Sequence, residues 1–193
     1  MRDISLPKIY ELHTERLLLR QWRTSDLHAF AQMNGCEKVM EYFPHPLTSV
    51  ESDAIAHRLT KIITEKGWGF WANEEKNSQK FIGSVGLKQT DACLPFSPAV
   101  EIGWRLDSQY WHKGYATEAA KKSLEFAFNE LNLKEVISFT AKINKPSIKV
   151  MERIGMVDTG KPFNHPIVEK NSSLLEHVLY KIEQVKLIDG RGA

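Results

Sequence analysis

Two residues in VEIGWRLDSQYWHKGYATEAA (residues 100–120) have the type and setting to do chemistry: Gly114 and Glu101. Gly114 lies in WHKGYAT, between an apolar run of period two and one of helical period. A residue without a side chain lets the backbone turn sharply and leaves room for a ligand. The helix that follows turns unpaired N–H groups and the positive end of its dipole toward this loop. Such a junction suits a pyrophosphate; a plain turn is the alternative. The spacing is not that of a nucleotide P-loop, Gly-x4-Gly-Lys-Ser/Thr, and a single glycine is not the three-glycine dinucleotide fingerprint. Glu101 sits on its strand facing away from Val100 and Ile102. Partial desolvation on a central strand would raise this carboxylate toward the range useful to a general base. A structural ion pair with Arg105, on the same face of the strand, is the alternative.

The surrounding sequence predicts one α/β domain over residues 1–193. LLLRQW (residues 17–22) reads as a first strand, and Asp26 is placed to cap a helix carrying Leu27, Phe30, Ala31 and Met33. EYFPHPLTS is a loop. Thr48 and Glu51 form a capping box for a helix with Ile55, Leu59, Ile62 and Ile63. GFWAN and KFIGSVGLKQ are neighbouring strands joined by a polar turn. VEIGWRL follows, with Val100, Ile102, Trp104 and Leu106 alternating, then a helix marked by Ala116, Ala120, Leu124, Phe128 and Leu131. EVISFTAKI is a further strand. PSIKVMERIG is a helix opened by proline and closed on Gly155. MVDTGKPF and HVLYKIE complete the strands, and VKLIDGRGA reads as a frayed tail.

Composition narrows the function classes. A net charge of +2 is too small to argue for nucleic acid. Cys36 and Cys93 have neither metal-ligand nor disulfide-framework spacing, so a reducing cytoplasm is expected. There is no apolar leader at the N-terminus and no apolar run of about 18 residues, so no membrane span is expected. His165 and His177 have no partner at ligand spacing, and no metal is expected.

The residues around Gly114 resemble motif A of the GCN5-related N-acetyltransferases, with Gly114-Tyr115-Ala116 fitting and Trp111 standing where the family has Gln or Arg. Asn144-Lys145-Pro146-Ser147 and the helix ending Gly155-Met156 resemble motif B. TERLLLRQW, GWGFWAN and HVLYKI extend the likeness, closest to the RimJ/RimL-like branch, over about residues 14–182. The resemblance implies a mixed, twisted sheet of six to seven strands with helices on both faces. It also implies that VEIGWRL and EVISFTAKI splay apart to admit acetyl-CoA.

By the same resemblance, the backbone around Trp104, Arg105 and Leu106 would hold the pantetheine and acetyl carbonyl. His112, Lys113, Gly114, Tyr115, Ala116 and Thr117 would hold the pyrophosphate. Lys113 would add charge or be plain surface, and Thr117 would touch phosphate or cap its helix. Asn144 suits the amide-rich pantetheine arm. Relatives place a Tyr near the sulfur where this chain has Met151, which cannot donate a proton. Ser147, in the first turn of that helix, is the candidate acid, with a cap or a plain coenzyme contact as alternatives.

The acceptor is then a primary amine, attacking directly. Neutralising an α-amine at pH 7 costs roughly 1.4 kcal/mol, against roughly 4.6 for a lysine. One modest base therefore favours a peptide N-terminus. A small-molecule amine and a non-catalytic acyl-CoA-binding module are the alternatives, as a monomer or homodimer. Trp68, Phe70 and Trp71 read as core. The loop Tyr42 to His45 is expected near the acceptor, with His165 as a further candidate to line that cleft.

Overall fold

Leu17 and Leu19 are fully buried and point to one face of the sheet, while Arg20 turns its side chain to the other. That alternation runs through the architecture. The computed structural model describes residues 7–184, so the expected tail lies outside the described residues. The strands are β1 (Leu12–His13), β2 (Leu17–Arg20), β3 (Phe70–Glu75), β4 (Lys80–Gln89), β5 (Val100–Leu106), β6 (Glu135–Ala141), β7 (Val157–Asp158), β8 (Phe163–Asn164) and β9 (Glu176–Glu183). The helices are α1 (Asp26–Asn34), α2 (Glu37–Met40), α3 (Ser49–Lys66), α4 (Tyr115–Asn129) and α5 (Lys145–Arg153).

The sheet runs β1-β2-β3-β4-β5-β6-β9-β7, with β8 also paired to β9. Nine strands stand where six to seven were expected. The excess over seven is β1 and the division of one expected strand into two; β1, β7 and β8 are each two residues long, too short to show a period. A bend at Gly160 splits the strand expected over MVDTGKPF into β7 and β8. All pairings are antiparallel except β5 with β6.

Helices cover both faces. Trp71 of β3 is fully buried and meets Phe126 of α4 edge-on at 5.4 Å. On the opposite face, Phe81 of β4 and Trp22 pack on Phe30 of α1. Phe81 reaches that face because the β3–β4 register skips Ile82, which reverses the alternation along β4.

The capping box at Thr48 and Glu51 forms as expected. Asp26 does not cap α1. The cap position is Ser25, without a side-chain bond. The Asp26 carboxylate instead accepts from Arg20 Nη1 and Nη2 at 2.8 and 2.9 Å and from the Arg23 amide at 2.8 Å. Arg20 is 2% exposed and also donates to Glu74, so its buried charge requires both carboxylates. The strand expected over residues 17–22 ends at Arg20, two residues earlier than expected.

Candidate active site

The whole of β5 pairs with β4, but β5 and β6 share a single register pair, Glu101 with Ile137. Ser138 Oγ adds one bridge by donating to the Ile102 carbonyl at 2.9 Å. Beyond this point the strands part. The Ile102 carbonyl faces β6, and the Leu106 carbonyl is likewise free of β4 and accepts from the Trp111 indole N–H at 2.8 Å. Backbone groups alternate sides along an antiparallel strand. The N–H groups of Trp104 and Leu106 therefore point into the opening, where no strand answers them. This is the splay expected for VEIGWRL and EVISFTAKI.

The loop after β5 leads directly to α4. Trp111, the departure from the family pattern, pins the loop to the end of β5 through its indole. His112 and Gly114 are both left-handed, with φ of 61° and 82°. The first backbone bond into α4 is Glu118 N–H to the Gly114 carbonyl. The N–H groups of Tyr115, Ala116 and Thr117 are left without acceptors among the described residues. Thr117 does not cap the helix, because α4 has no side-chain cap. Lys113 is exposed and lies over the Tyr110 ring.

Sequence reasoning missed the brace behind this loop. Arg16 Nη1 donates to the Lys113 carbonyl at 2.9 Å, its Nε donates to Glu118 at 2.7 Å, and its guanidinium covers the Tyr115 ring. The Thr14 hydroxyl also donates to Glu118, at 2.6 Å. Partial burial works to raise the Glu118 carboxyl, but the Thr14 hydroxyl and the Arg16 amide and guanidinium hold it below its ordinary value. TERL at residues 14–17 carried the signal, but its partner Glu118 is distant in sequence.

Glu101, Gly103 and Arg105 face α1, away from α4. Glu101 is 8% exposed, and burial pushes it up to about 7 against the pull of Lys88. The expected alternative, an ion pair with Arg105, does not form. Glu101 Oε1 lies 3.5 Å from Lys88 Nζ, its cross-strand neighbour, which also reaches Asp91 at 3.3 Å. Arg105 Nη1 donates to Asn34 Oδ1 at 2.7 Å, and the guanidinium lies 4.0 Å from the Phe43 ring centre. Phe43 belongs to the loop expected near the acceptor.

On the same side as Glu101, β6 presents Phe139, packed with Phe96 and Phe163. His165 and His177 come together there with ring centres 4.8 Å apart, a pairing their spacing did not reveal. Burial lowers both, His177 to about 4, so His177 is neutral near pH 7. Asp91 and Lys88 act on His165 with opposite signs, Asp91 raising it and Lys88 lowering it. Trp71 is core as expected, and Phe70 lies under Gly103.

At the start of α5, the Asn144 side chain is committed to structure. Its Oδ1 accepts from the Ser147 amide at 3.2 Å, and its Nδ2 donates to Thr140 at 2.8 Å. Ser147 is half-buried and its hydroxyl has no hydrogen bond among the described residues. Met151 is 1% exposed and faces the core.

The open edge of β5 and the unanswered N–H groups of α4 fit a long donor ending in a pyrophosphate. The family model described as an acetyltransferase (GNAT) domain matches residues 16–157. The uncharacterized N-acetyltransferase YnaD of Bacillus subtilis (strain 168) is 31% identical over 177 residues, covering 88% of this chain and 94% of YnaD. Two solved structures share the fold. The ribosomal-protein-S5-alanine acetyltransferase from Vibrio fischeri has a TM-score of 0.71 at 21% identity, covering 91% of this chain and 97% of that one. The spermidine N-acetyltransferase from Vibrio cholerae, in complex with CoA and spermine, has a TM-score of 0.72 at 21% identity, covering 91% and 99%. With its sheet opened between β5 and β6 and its sequence matched over most of its length, the chain belongs to the GNAT acetyltransferase family and is an N-acetyltransferase.

Proposed function

We propose that the enzyme acetylates the α-amine at a peptide N-terminus, as the resemblance to the RimJ/RimL-like branch suggests, with Glu101 as the general base. The observation that carries this reading is a single buried carboxylate, raised to about 7, at the point where β5 and β6 part. A base of that strength matches an amine of pKa about 8 far better than a lysine near 10.4.

Acetyl-CoA supplies an acyl group activated as a thioester. The N–H groups of Trp104 and Leu106 orient its pantetheine arm and acetyl carbonyl, and those of Tyr115, Ala116 and Thr117 hold the pyrophosphate. Arg16 acts as a positioning residue by fixing the loop that carries His112, Lys113 and Gly114. Glu101 takes a proton from the attacking amine, directly or through a water. The new C–N bond forms as the C–S bond breaks. Ser147, in the first turn of α5, would donate a hydrogen bond to the departing sulfur where the helix dipole favours negative charge, and would relay to it a proton taken up from water. Asn144 supports this step by holding the first turn of α5.

A polycationic acceptor fits this face less well, because Arg105 lies on it with no carboxylate partner among the described residues. The test is free-thiol release from acetyl-CoA with N-terminal peptides, lysine peptides, polyamines and aminoglycosides as acceptors. Turnover confined to peptide α-amines supports the proposal. Turnover confined to a small amine transfers the activity to that class. Ser147→Ala that leaves thiol release unchanged at every pH removes the acid role.

A further inference from the structure

Arg105 is a half-buried cation without an anion among the described residues. Its Nε is buried with no hydrogen-bond partner among the described residues. Its one side-chain hydrogen bond goes to a neutral amide oxygen, that of Asn34. No carboxylate among the described residues lies within ion-pair distance of it, although the same face holds Glu101 four residues away on the strand. Burial lowers the guanidinium only to about 10, so it keeps its charge at neutral pH.

Buried charges are ordinarily paired, because desolvation of an isolated charge is costly. Arg20 shows this within the same protein, where two carboxylates surround a buried guanidinium. Arg105 has the Phe43 ring at 4.0 Å and one amide oxygen. The ring and the single hydrogen bond fix the orientation of the guanidinium and leave donors of its fork uncommitted. A planar fork of this kind matches a carboxylate in bidentate geometry.

From this arrangement we infer that Arg105 is a receptor for a carboxylate on the acceptor, so that the preferred substrate is an acidic peptide N-terminus. The inference rests on the proposed reading of Glu101's face as the acceptor side. Four residues along a strand separate the Cα atoms of Glu101 and Arg105 by about 13 Å. A free α-amino acid, with amine and carboxylate on one carbon, is too short to reach both groups. An Asp or Glu side chain at the second or third position of a peptide has the required span.

The test compares matched acceptors that differ only in charge: peptides with Glu or Gln at position two or three, and ω-amino acids against the corresponding amino alcohols. The readout is the ratio of kcat/KM for the acidic over the neutral member, in the wild type, Arg105→Gln and Arg105→Lys. Taking a ratio within each variant cancels any effect on acetyl-CoA binding. The wild type is expected to favour the acidic member by about tenfold or more, mainly through KM, since a charge-assisted bidentate contact is worth that much. Added salt should lower the ratio, Arg105→Gln should bring it close to one, and Arg105→Lys should keep part of it.

A wild-type ratio near one overturns the proposal without reference to any variant, so a misfolded Arg105→Gln protein does not shield it. A ratio that survives in Arg105→Gln also overturns it. So does a loss of acetyl-CoA affinity, by calorimetry, with the ratio unchanged, because Arg105 would then serve the donor. If peptides of every kind are inert while ω-amino acids show an Arg105-dependent ratio, the peptide reading fails and the carboxylate receptor stands.

Discussion

Glu101 Oε1 lies 3.5 Å from Lys88 Nζ, while Glu101 Oε2 is buried with no hydrogen-bond partner among the described residues. The two oxygens therefore have different work. One is held by a cation from the neighbouring strand, and the other keeps its lone pairs for a proton. Desolvation raises this carboxyl and Lys88 opposes it, with the balance near 7. A fully paired carboxylate would be a weak base, and an unpaired one would stay protonated at neutral pH.

Replacing Glu101 by Gln should lower kcat/KM by about 10²- to 10⁴-fold, the usual contribution of a positioned base. The base works deprotonated, so the wild-type kcat/KM, which reports the free enzyme, should rise with pH through about 7. That limb should vanish in Glu101→Gln. Lys88→Met removes the charge that favours the carboxylate, so its limb should move to higher pH. A kcat/KM profile with the same limb in all three proteins would show that another group titrates there.

The same carboxyl makes a stability prediction. Its folded pKa is raised above the ordinary 4.5, so its favourable contribution is complete below about 4.5 and is lost as pH rises through about 7. Glu101→Gln, which cannot ionise, should unfold at nearly the wild-type urea concentration at pH 4.5. At pH 8 it should be the more stable protein, by up to about 3 kcal/mol at 1.36 kcal/mol per pKa unit. Equal midpoints at pH 8 would mean that the ionised carboxylate is solvated in the folded enzyme.

What the sequence revealed depended on whether a feature was local. The capping box at Thr48, the Pro146 helix start and the turn at Gly114 each depend on a few consecutive residues, and each was legible. The pairs that shape the site join distant segments: Arg16 with Glu118, Arg105 with Asn34, and His165 with His177 across β8 and β9. Periodicity gives a face, not a partner, which is why Glu101 was matched to Arg105 on its own strand rather than to Lys88 on the next. Asp26 misled for a similar reason. An acid before an apolar run has the signature of a cap, and only the fold brings a buried Arg20 against it.

Asp26→Ala should therefore behave as the loss of half a buried ion pair, not of a helix cap. Arg20 would keep Glu74 but lose its two contacts to Asp26, and the Arg23 amide would lose its acceptor. The expected destabilisation is about 3–5 kcal/mol in urea unfolding, against about 1 kcal/mol for a lost cap. Asp26→Asn should be nearly as damaging, because it restores shape and an acceptor but not charge. A loss of about 1 kcal/mol in both variants would return Asp26 to the capping role.

Gly114→Ala tests the cradle at the start of α4. The position has φ of 82°, a conformation that costs an L-residue about 1–2 kcal/mol. Space is not the constraint, since the nearest neighbour of an added Cβ is the Arg16 guanidinium at 3.4 Å. The strain would be relieved by rotating the backbone, and that rotation turns the N–H groups of Tyr115 and Ala116 away from a common centre. Acetyl-CoA affinity should fall about tenfold, reflecting a cost of about 1.4 kcal/mol. The affinity for desulfo-pantetheine fragments that lack the pyrophosphate should be unchanged. Calorimetry with both ligands separates the outcomes. Equal losses for both would place the effect of Gly114 on the whole opening between β5 and β6 rather than on the phosphate end of the donor.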